Sequence, residues 1–297
     1  MQTQKTFVAA MAFLATLAFL SSASAATDWK SVANALGKSG TEMPGGVYRV
    51  GLPRGDLHVT LDGLVLKPSL ALGSWLAFAP MGNQTMLMGD LVLTESEIGP
   101  VMKKLEEGNI DITALHNHLF RARPATFYMH VYGLGDAVTL ARTLHDALAL
   151  SGTPFTAAPP PATPPQIDLD TAAIDAALGG KGKISGGVYQ VGIQRVEPVT
   201  EGGMTIPAAM GSAEAINFQP TGRGKAAITG DFVLIAKEVN PVLRALREHG
   251  IEVTALHNHM LDDEPRLFFM HFWANGDLGK LLEGLHAALS NVAVVKG

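Results

Sequence analysis

The sequence predicts an α+β fold made of two tandem homologous domains, each a mixed, largely antiparallel sheet with helices packed on one face. Three observations carry this prediction. The second half aligns with the first at a spacing of 141 residues, and from Gly89 to Leu119, 16 of 31 positions are identical to their partners. Strand-like alternation and helix-like spacing succeed one another within each half. With 297 residues, 47% hydrophobic and 16% charged, the chain also has core material for two domains of ordinary size. The period is far longer than that of a solenoid repeat.

Taken in order, Lys5, the apolar run from Phe7 to Leu20 and the small residues Ala23-Ser24-Ala25 read as a secretory signal cleaved after Ala25. Residues 1–25 are therefore set apart, and a periplasmic or secreted location is expected. The apolar run is short for a bilayer span of about 20 residues, and no later stretch is long enough, so no membrane span is expected after cleavage. Residues 26–150 form the first repeat and 167–297 the second. Residues 151–166, SGTPFTAAPPPATPPQ, form a Pro/Ala-rich linker in which proline disfavours both helix and central strand.

Within a repeat, Asp28 to Leu36 and Asp170 to Leu178 read as short helices closed by Gly37 and Gly179. Strands are expected at Val47 to Leu52 and Val188 to Ile193, then around Leu57 to Thr60, Trp75 to Ala79 and Met86 to Leu93. In Glu97 to Glu107, Ile98, Val101, Met102 and Leu105 recur at helical spacing. Asp111 to His118 and Thr126 to Tyr132 read as strands, and Asp136 as the N-cap of a closing helix. The resulting β-α-β-β-α order is partly that of a ferredoxin-like unit. Gly222-Arg223-Gly224 reads as a hairpin turn.

A net charge of -5 and a pI near 6.0 exclude a polybasic surface, so no nucleic-acid partner is expected. The absence of cysteine excludes disulfides and thiolate ligands, leaving His, Asp, Glu and Met for any metal site. No phosphate loop or dinucleotide fingerprint is present, so no nucleotide cofactor is expected.

The chemistry concentrates in a motif present twice, Ala114-Leu115-His116-Asn117-His118 and Ala255-Leu256-His257-Asn258-His259. Alternate residues of a strand share a face, so Ile110, Ile112, Ala114, His116 and His118 are expected together, with Asn117 facing away. A hairpin centred near Arg123 would set His130 opposite His116. The repeat offers His271 in the same way. Neutral imidazoles on one strand face suit a transition metal, and three of them leave a position for water or substrate. The candidate ligands are His116, His118, His130 and Asp90 in the first repeat, and His257, His259, His271 and Asp231 in the second. Tyr128, Tyr132, Phe269 and Trp273 share the third histidine's face and could wall a pocket. Glu97 and Glu238 suit helix starts better than catalysis, and His145 and His286 lie beside leucine stripes of the closing helices. Met86, Met88, Met129, Met260 and Met270 invite a copper reading, but read more simply as core filler. Zinc or another transition metal is thus the expected cofactor, with copper ranked lower.

In Gly45 to Tyr48, Met88 to Leu93, Thr113 to His118 and Met129-His130, with their counterparts, the chain resembles the LppY/LpqO-like family of exported bacterial proteins, a domain of unknown function here in two copies. The resemblance implies export but no stated chemistry, and no catalytic residue carries over from it. The family name records lipoprotein members, whereas this chain has no cysteine to lipidate. The leading expectation is an exported protein with a His-rich metal site in each repeat and a metal ion or small molecule as its partner. A metal-dependent hydrolase of a small envelope or extracellular substrate is the alternative. A ligand-binding or interaction module with structural histidines is the third. Enzymatic activity and oligomeric state stay open.

Overall fold

The computed structural model describes residues 27–156 and 166–295. The segment expected to be a secretory signal, residues 1–25, and most of the expected linker lie outside the described residues. The first repeat runs α1 (Trp29–Leu36), β1 (Thr41–Met43), β2 (Val47–Pro53), β3 (Thr60–Leu61), β4 (Leu64–Val65), α2 (Pro68–Ala71), β5 (Gly73–Met81) and β6 (Gln84–Leu93). It continues with α3 (Glu95–Glu107), β7 (Asp111–His116), β8 (Phe127–Gly135) and α4 (Ala137–Leu148). The second repeat runs α5 (Thr171–Leu178), β9 (Lys183–Ser185), β10 (Val188–Gln194), β11 (Thr200–Glu201), β12 (Met204–Thr205), β13 (Ala213–Gly222) and β14 (Lys225–Ile235). It closes with α6 (Ala236–Glu248), β15 (Glu252–His257), β16 (Asp263–Glu264), β17 (Leu267–Asp277) and α7 (Leu278–Leu289).

Local chemistry sets these boundaries. Asp28 and Asp170 accept backbone N–H bonds as N-caps, and Gly37 and Gly179 end the same helices in the left-handed region, where a Cβ is penalised. Asp136 and Asp277 cap α4 and α7. Glu97 and Glu238 accept from the backbone N–H at their helix starts, Thr94 and Ile235. Each also meets a buried arginine, Arg54 or Arg195, whose Nη1 donates in addition to the carbonyl of Val92 or Val233. These matched ion pairs lock the helix to its sheet.

Each repeat contains one six-stranded sheet, in the orders β1-β2-β5-β6-β8-β7 and β9-β10-β13-β14-β17-β15. All pairings within them are antiparallel, so the sheets are more uniform than a mixed sheet. The segment β6-α3-β7-β8-α4 has the expected β-α-β-β-α order, with β8 inserted between β6 and β7. The strand expected at Leu57 to Thr60 is shorter and later, at β3.

One face of each sheet packs under its helices. Leu87, Leu91, Met129 and Val131 join α1, α3 and α4 in one core, and Ile228, Phe232, Met270 and Phe272 join α5, α6 and α7 in the other. The opposite faces turn toward each other. Two further clusters draw on both repeats, one joining Met86 and Met88 to Val233 and Phe269, the other Val92 and Tyr128 to Ala227 and Trp273. The product is a helix–sheet–sheet–helix sandwich whose middle layer is the interface between repeats.

Polar contacts across that interface are also exchanged between repeats. The Arg49 guanidinium donates to the carbonyl of Ala209, and Gln190, which occupies the equivalent place, donates to the carbonyl of Ser69 at 2.9 Å. This reciprocity is that of an isologous dimer contact within one chain.

Candidate metal centre

The strands carrying the histidines depart from plain alternation. Ile112 pairs with Val131, but Ala114 pairs with His130, leaving one extra residue in β7. The same irregularity separates Val253 from Ala255 in β15. Such a bulge reverses which face the following residues occupy. Ile110 and Ile112 accordingly pack in the helix-side core, while Ala114 and His116 share the face of Tyr128 and His130. The expectation that all five positions from Ile110 to His118 share one face is therefore corrected. So is the register: His130 lies opposite Ala114 and diagonal to His116, and β7 ends at His116, with His118 just beyond it.

Both histidine faces belong to the middle layer, so the two motifs meet. His116 stacks on its counterpart His257 with ring centroids 3.6 Å apart. His118 stacks on His271 at 3.7 Å and His130 on His259 at 3.6 Å. His259 and His271 are the counterparts of His118 and His130, so the last two contacts are one contact with the repeats exchanged. The two trios lie against each other across the interface between the repeats. One nitrogen from each of His116, His118 and His130 forms a set within 4.8 Å, and His116 forms a second such set with His257, His259 and His271.

The electrostatics are those of neutral imidazoles. Burial, and then neighbouring histidines, hold the imidazoles of His118, His130, His259 and His271 well below their ordinary value. Burial lowers His116 to about 3 and His257 to about 4. The Nδ1 atom of His271 lies 3.0 Å from the Gly230 carbonyl, and those of His116 and His257 lie 3.4 and 3.3 Å from the carbonyls of Asn117 and Asn258. An Nδ1–H donated to a carbonyl leaves the Nε2 lone pair free to ligate, the usual outer support of a metal-bound histidine. The Nε2 atoms of all six are buried and without a hydrogen-bond partner. Six such unpartnered buried nitrogens in one place are costly unless something else satisfies them.

Asp90 and Asp231 stand beside the trios. Asp90 pairs with His130 and Asp231 with His271 in the sheet register, each with Oδ1 3.8 Å from a ring nitrogen. That is too long for a hydrogen bond, and both Oδ1 atoms are unpartnered. Burial pushes Asp90 up to about 8 against the opposing pull of Arg49, and burial together with Asp90 raises Asp231. Gly230 sets the approach of β14 to β13, because a Cβ there would sit 2.0 Å from the Ala215 carbonyl oxygen.

A cleft of about 510 Å³ between the repeats reaches the centre, lined by Asp90, His118, His130, Asp231, His259 and His271, with Arg49 and Tyr128 among its walls. Of the expected pocket aromatics, Tyr128 stacks on His118 at 3.3 Å and Phe269 on His259 at 3.6 Å. Trp273 instead donates from Nε1 to Asp62, and Tyr132 packs in a cluster shared by the repeats. His145 and His286 approach the carbonyls of Leu36 and Ala177 at helix ends, away from the centre.

Sequence reasoning passed over Arg54 and Arg195, although they match at the same offset as the histidines. It also passed over Glu214, a fully buried carboxyl in the cleft wall whose Oε2 accepts from Val233 N–H, the role Ser74 plays for Val92 N–H in the first repeat. No sequence signal marked Glu214, because its counterpart differs.

A family model described as Domain of Unknown Function (DUF1259) matches residues 30–150 and again residues 172–291. No curated protein matches the chain. Among solved structures, the chain is similar to the trimeric bacterial microcompartment shell protein PduB, with 11% identity over 87% of this chain and 96% of that one, at a TM-score of 0.23. It is similar to EtuB from Clostridium kluyveri with 10% identity over 84% and 88% of the respective chains, at a TM-score of 0.21. Both TM-scores are low, and neither likeness bears on fold or function.

Proposed function

The chain belongs to that family of unknown function in both of its halves, and on this premise we propose that it is an exported protein that binds a transition metal at one centre built jointly by its two repeats. The observation that carries the reading is the set of six buried Nε2 atoms without hydrogen-bond partners, gathered at the meeting of the repeats. Imidazole suits zinc, copper, iron and nickel alike. Histidines held neutral by burial are ready to ligate without first losing a proton.

Export rests on the secretory pattern of residues 1–25 and on the resemblance to LppY/LpqO-like exported proteins. Among the described residues no helix is long and apolar enough to cross a membrane.

The test is elemental analysis of the full chain purified from its native compartment, paired with His116→Ala/His118→Ala and His257→Ala/His259→Ala. Stoichiometric metal that both variants lose, together with a metal-dependent rise in thermal stability, is expected. Less than about 0.2 metal per chain, with no ion raising the melting temperature as specific binding must, sinks the reading.

A hydrolytic activity is the second reading, favoured by the cleft that reaches four of the histidines. A bound ion would lower the pKa of its water to about 7 and polarise a substrate. Asp90, pushed up to about 8 by burial, would keep a proton at neutral pH and could donate it to a leaving group. Turnover of small ester, amide or phosphoester substrates that is lost in Asp90→Asn separates hydrolysis from binding alone.

A further inference from the structure

The methionines divide by face. Met129 and Met270 lie in the helix-side cores, as alternation from the adjacent histidines requires. Met88, Met210 and Met260 lie in a cluster shared by the repeats, all three buried. They line a small cavity of about 20 Å³ together with His130 and His259, the pair stacked at 3.6 Å. That volume is about what one water molecule or one ion occupies. Both histidines bring an unpartnered Nε2. No Asp or Glu lines the cavity; Asp90 lines the neighbouring cleft instead.

The equivalent place in the other half lacks the thioethers. There the stacked pair is His118 with His271. The residues matching Met88 and Met260 at the repeat offset are Thr229 and Leu119. Leu70 stands where Met210 does, since Ser69 and Ala209 carry the exchanged carbonyl contacts of the interface. The histidines are retained in both halves, while three methionines gather at only one of them.

We infer that the cavity lined by His130 and His259 is a copper(I) site that draws its donors from the two imidazole nitrogens and the sulfurs of Met88, Met210 and Met260. Thioether and imidazole together select the soft monovalent ion over harder divalent ones. Asp90 Oδ1 stands 3.8 Å from His130 Nε2 but lines the neighbouring cleft rather than this cavity, so the selectivity proposed here rests on the soft donors. In a chain without cysteine, methionine is the soft ligand available. The half around His118 and His271, without methionine, is left for a harder ion such as zinc.

This inference rests on the proposed metal centre, and the experiment separates the two. The metal-free full chain is titrated anaerobically with copper(I) against a chromophoric copper(I) chelator, and separately with zinc(II). Wild type is compared with Met88→Leu/Met260→Leu, in which leucine keeps the volume of methionine so that folding is preserved; matched melting temperatures of the metal-free proteins check this. One tightly held copper(I) per chain is expected. The double variant should lose about tenfold or more in copper(I) affinity, equivalent to about 1.4 kcal/mol or more, while its zinc(II) affinity stays within about twofold. Unchanged copper(I) affinity in the variant, or zinc(II) binding without copper(I) binding in wild type, overturns the copper site and leaves the metal centre standing. Failure of wild type to bind either ion overturns both.

Discussion

His116 and His257, the same residue in two copies of one domain, stack on each other with ring centroids 3.6 Å apart. A residue in contact with its own counterpart lies near the axis that exchanges the repeats, and His116 belongs to both nitrogen sets.

His116→Ala should weaken metal binding at both halves of the centre, whereas His118→Ala should weaken one. Loss of one ligand is expected to cost at least the tenfold that even outer-sphere partners contribute. Isothermal titration of each variant reads both stoichiometry and affinity. A His116→Ala protein that keeps the second half at full affinity would show that the repeats bind independently.

The metal-free protein should be most stable near pH 6.5. The six histidines have folded values pushed below their unfolded value of about 6.5. Their contribution is therefore full above that pH and is lost as pH falls beneath it. The buried acids Asp90, Asp231, Glu214 and Glu201 are pushed up, Asp90 to about 8, so their contribution is lost as pH rises from the usual carboxylate range toward the raised values. Between about pH 4.5 and 6.5 six histidines outweigh four acids, and above pH 6.5 the acids act alone. Melting temperatures of metal-free protein between pH 4.5 and 8.5 should rise and then fall. A steady decline from pH 4.5 upward would contradict the neutral, buried histidines.

Arg195→Met should destabilise the second repeat by about 3–5 kcal/mol, because it strands the carboxylate of Glu238 and the carbonyl of Val233 that Nη1 satisfies. Denaturant unfolding measures this. A loss under about 1 kcal/mol would mean that the pair is as weak as a surface one.

Gly230→Ala places a Cβ against the Ala215 carbonyl, and the backbone shift it forces should cost about 1–3 kcal/mol. It should also weaken metal binding, since the Gly230 carbonyl orients His271. Gly276→Ala, where nothing lies within 4 Å, is the control. Equal effects of the two substitutions on melting and on metal affinity would remove the role given to Gly230.

Much of the fold was legible because it is written in local chemistry. Caps at Asp28, Asp136 and Asp170, left-handed glycines at Gly37 and Gly179, and the turn at Gly222 to Gly224 each act over a few residues. The bulge beside Thr113 was not legible. Nothing in Ile112-Thr113-Ala114 departs from alternation, and only pairing with β8 reveals the extra residue. It moves Ile110 and Ile112 into the helix-side core while keeping His116 with His130. Glu97 and Glu238 were recognised as helix-start residues, but their arginine partners lie 43 residues away in sequence, beyond any local pattern.

By itself, the sequence determined the duplication, the element order and the retention of three histidines in each copy, since all three are properties of composition and spacing along the chain. Only the tertiary structure decided what the histidines face. Strand periodicity distinguishes a buried face from an exposed one, but it carries no information about which surface does the burying. Here each trio packs against the other, so the two expected sets of histidines meet in one cluster of six imidazoles with His116 in both nitrogen sets.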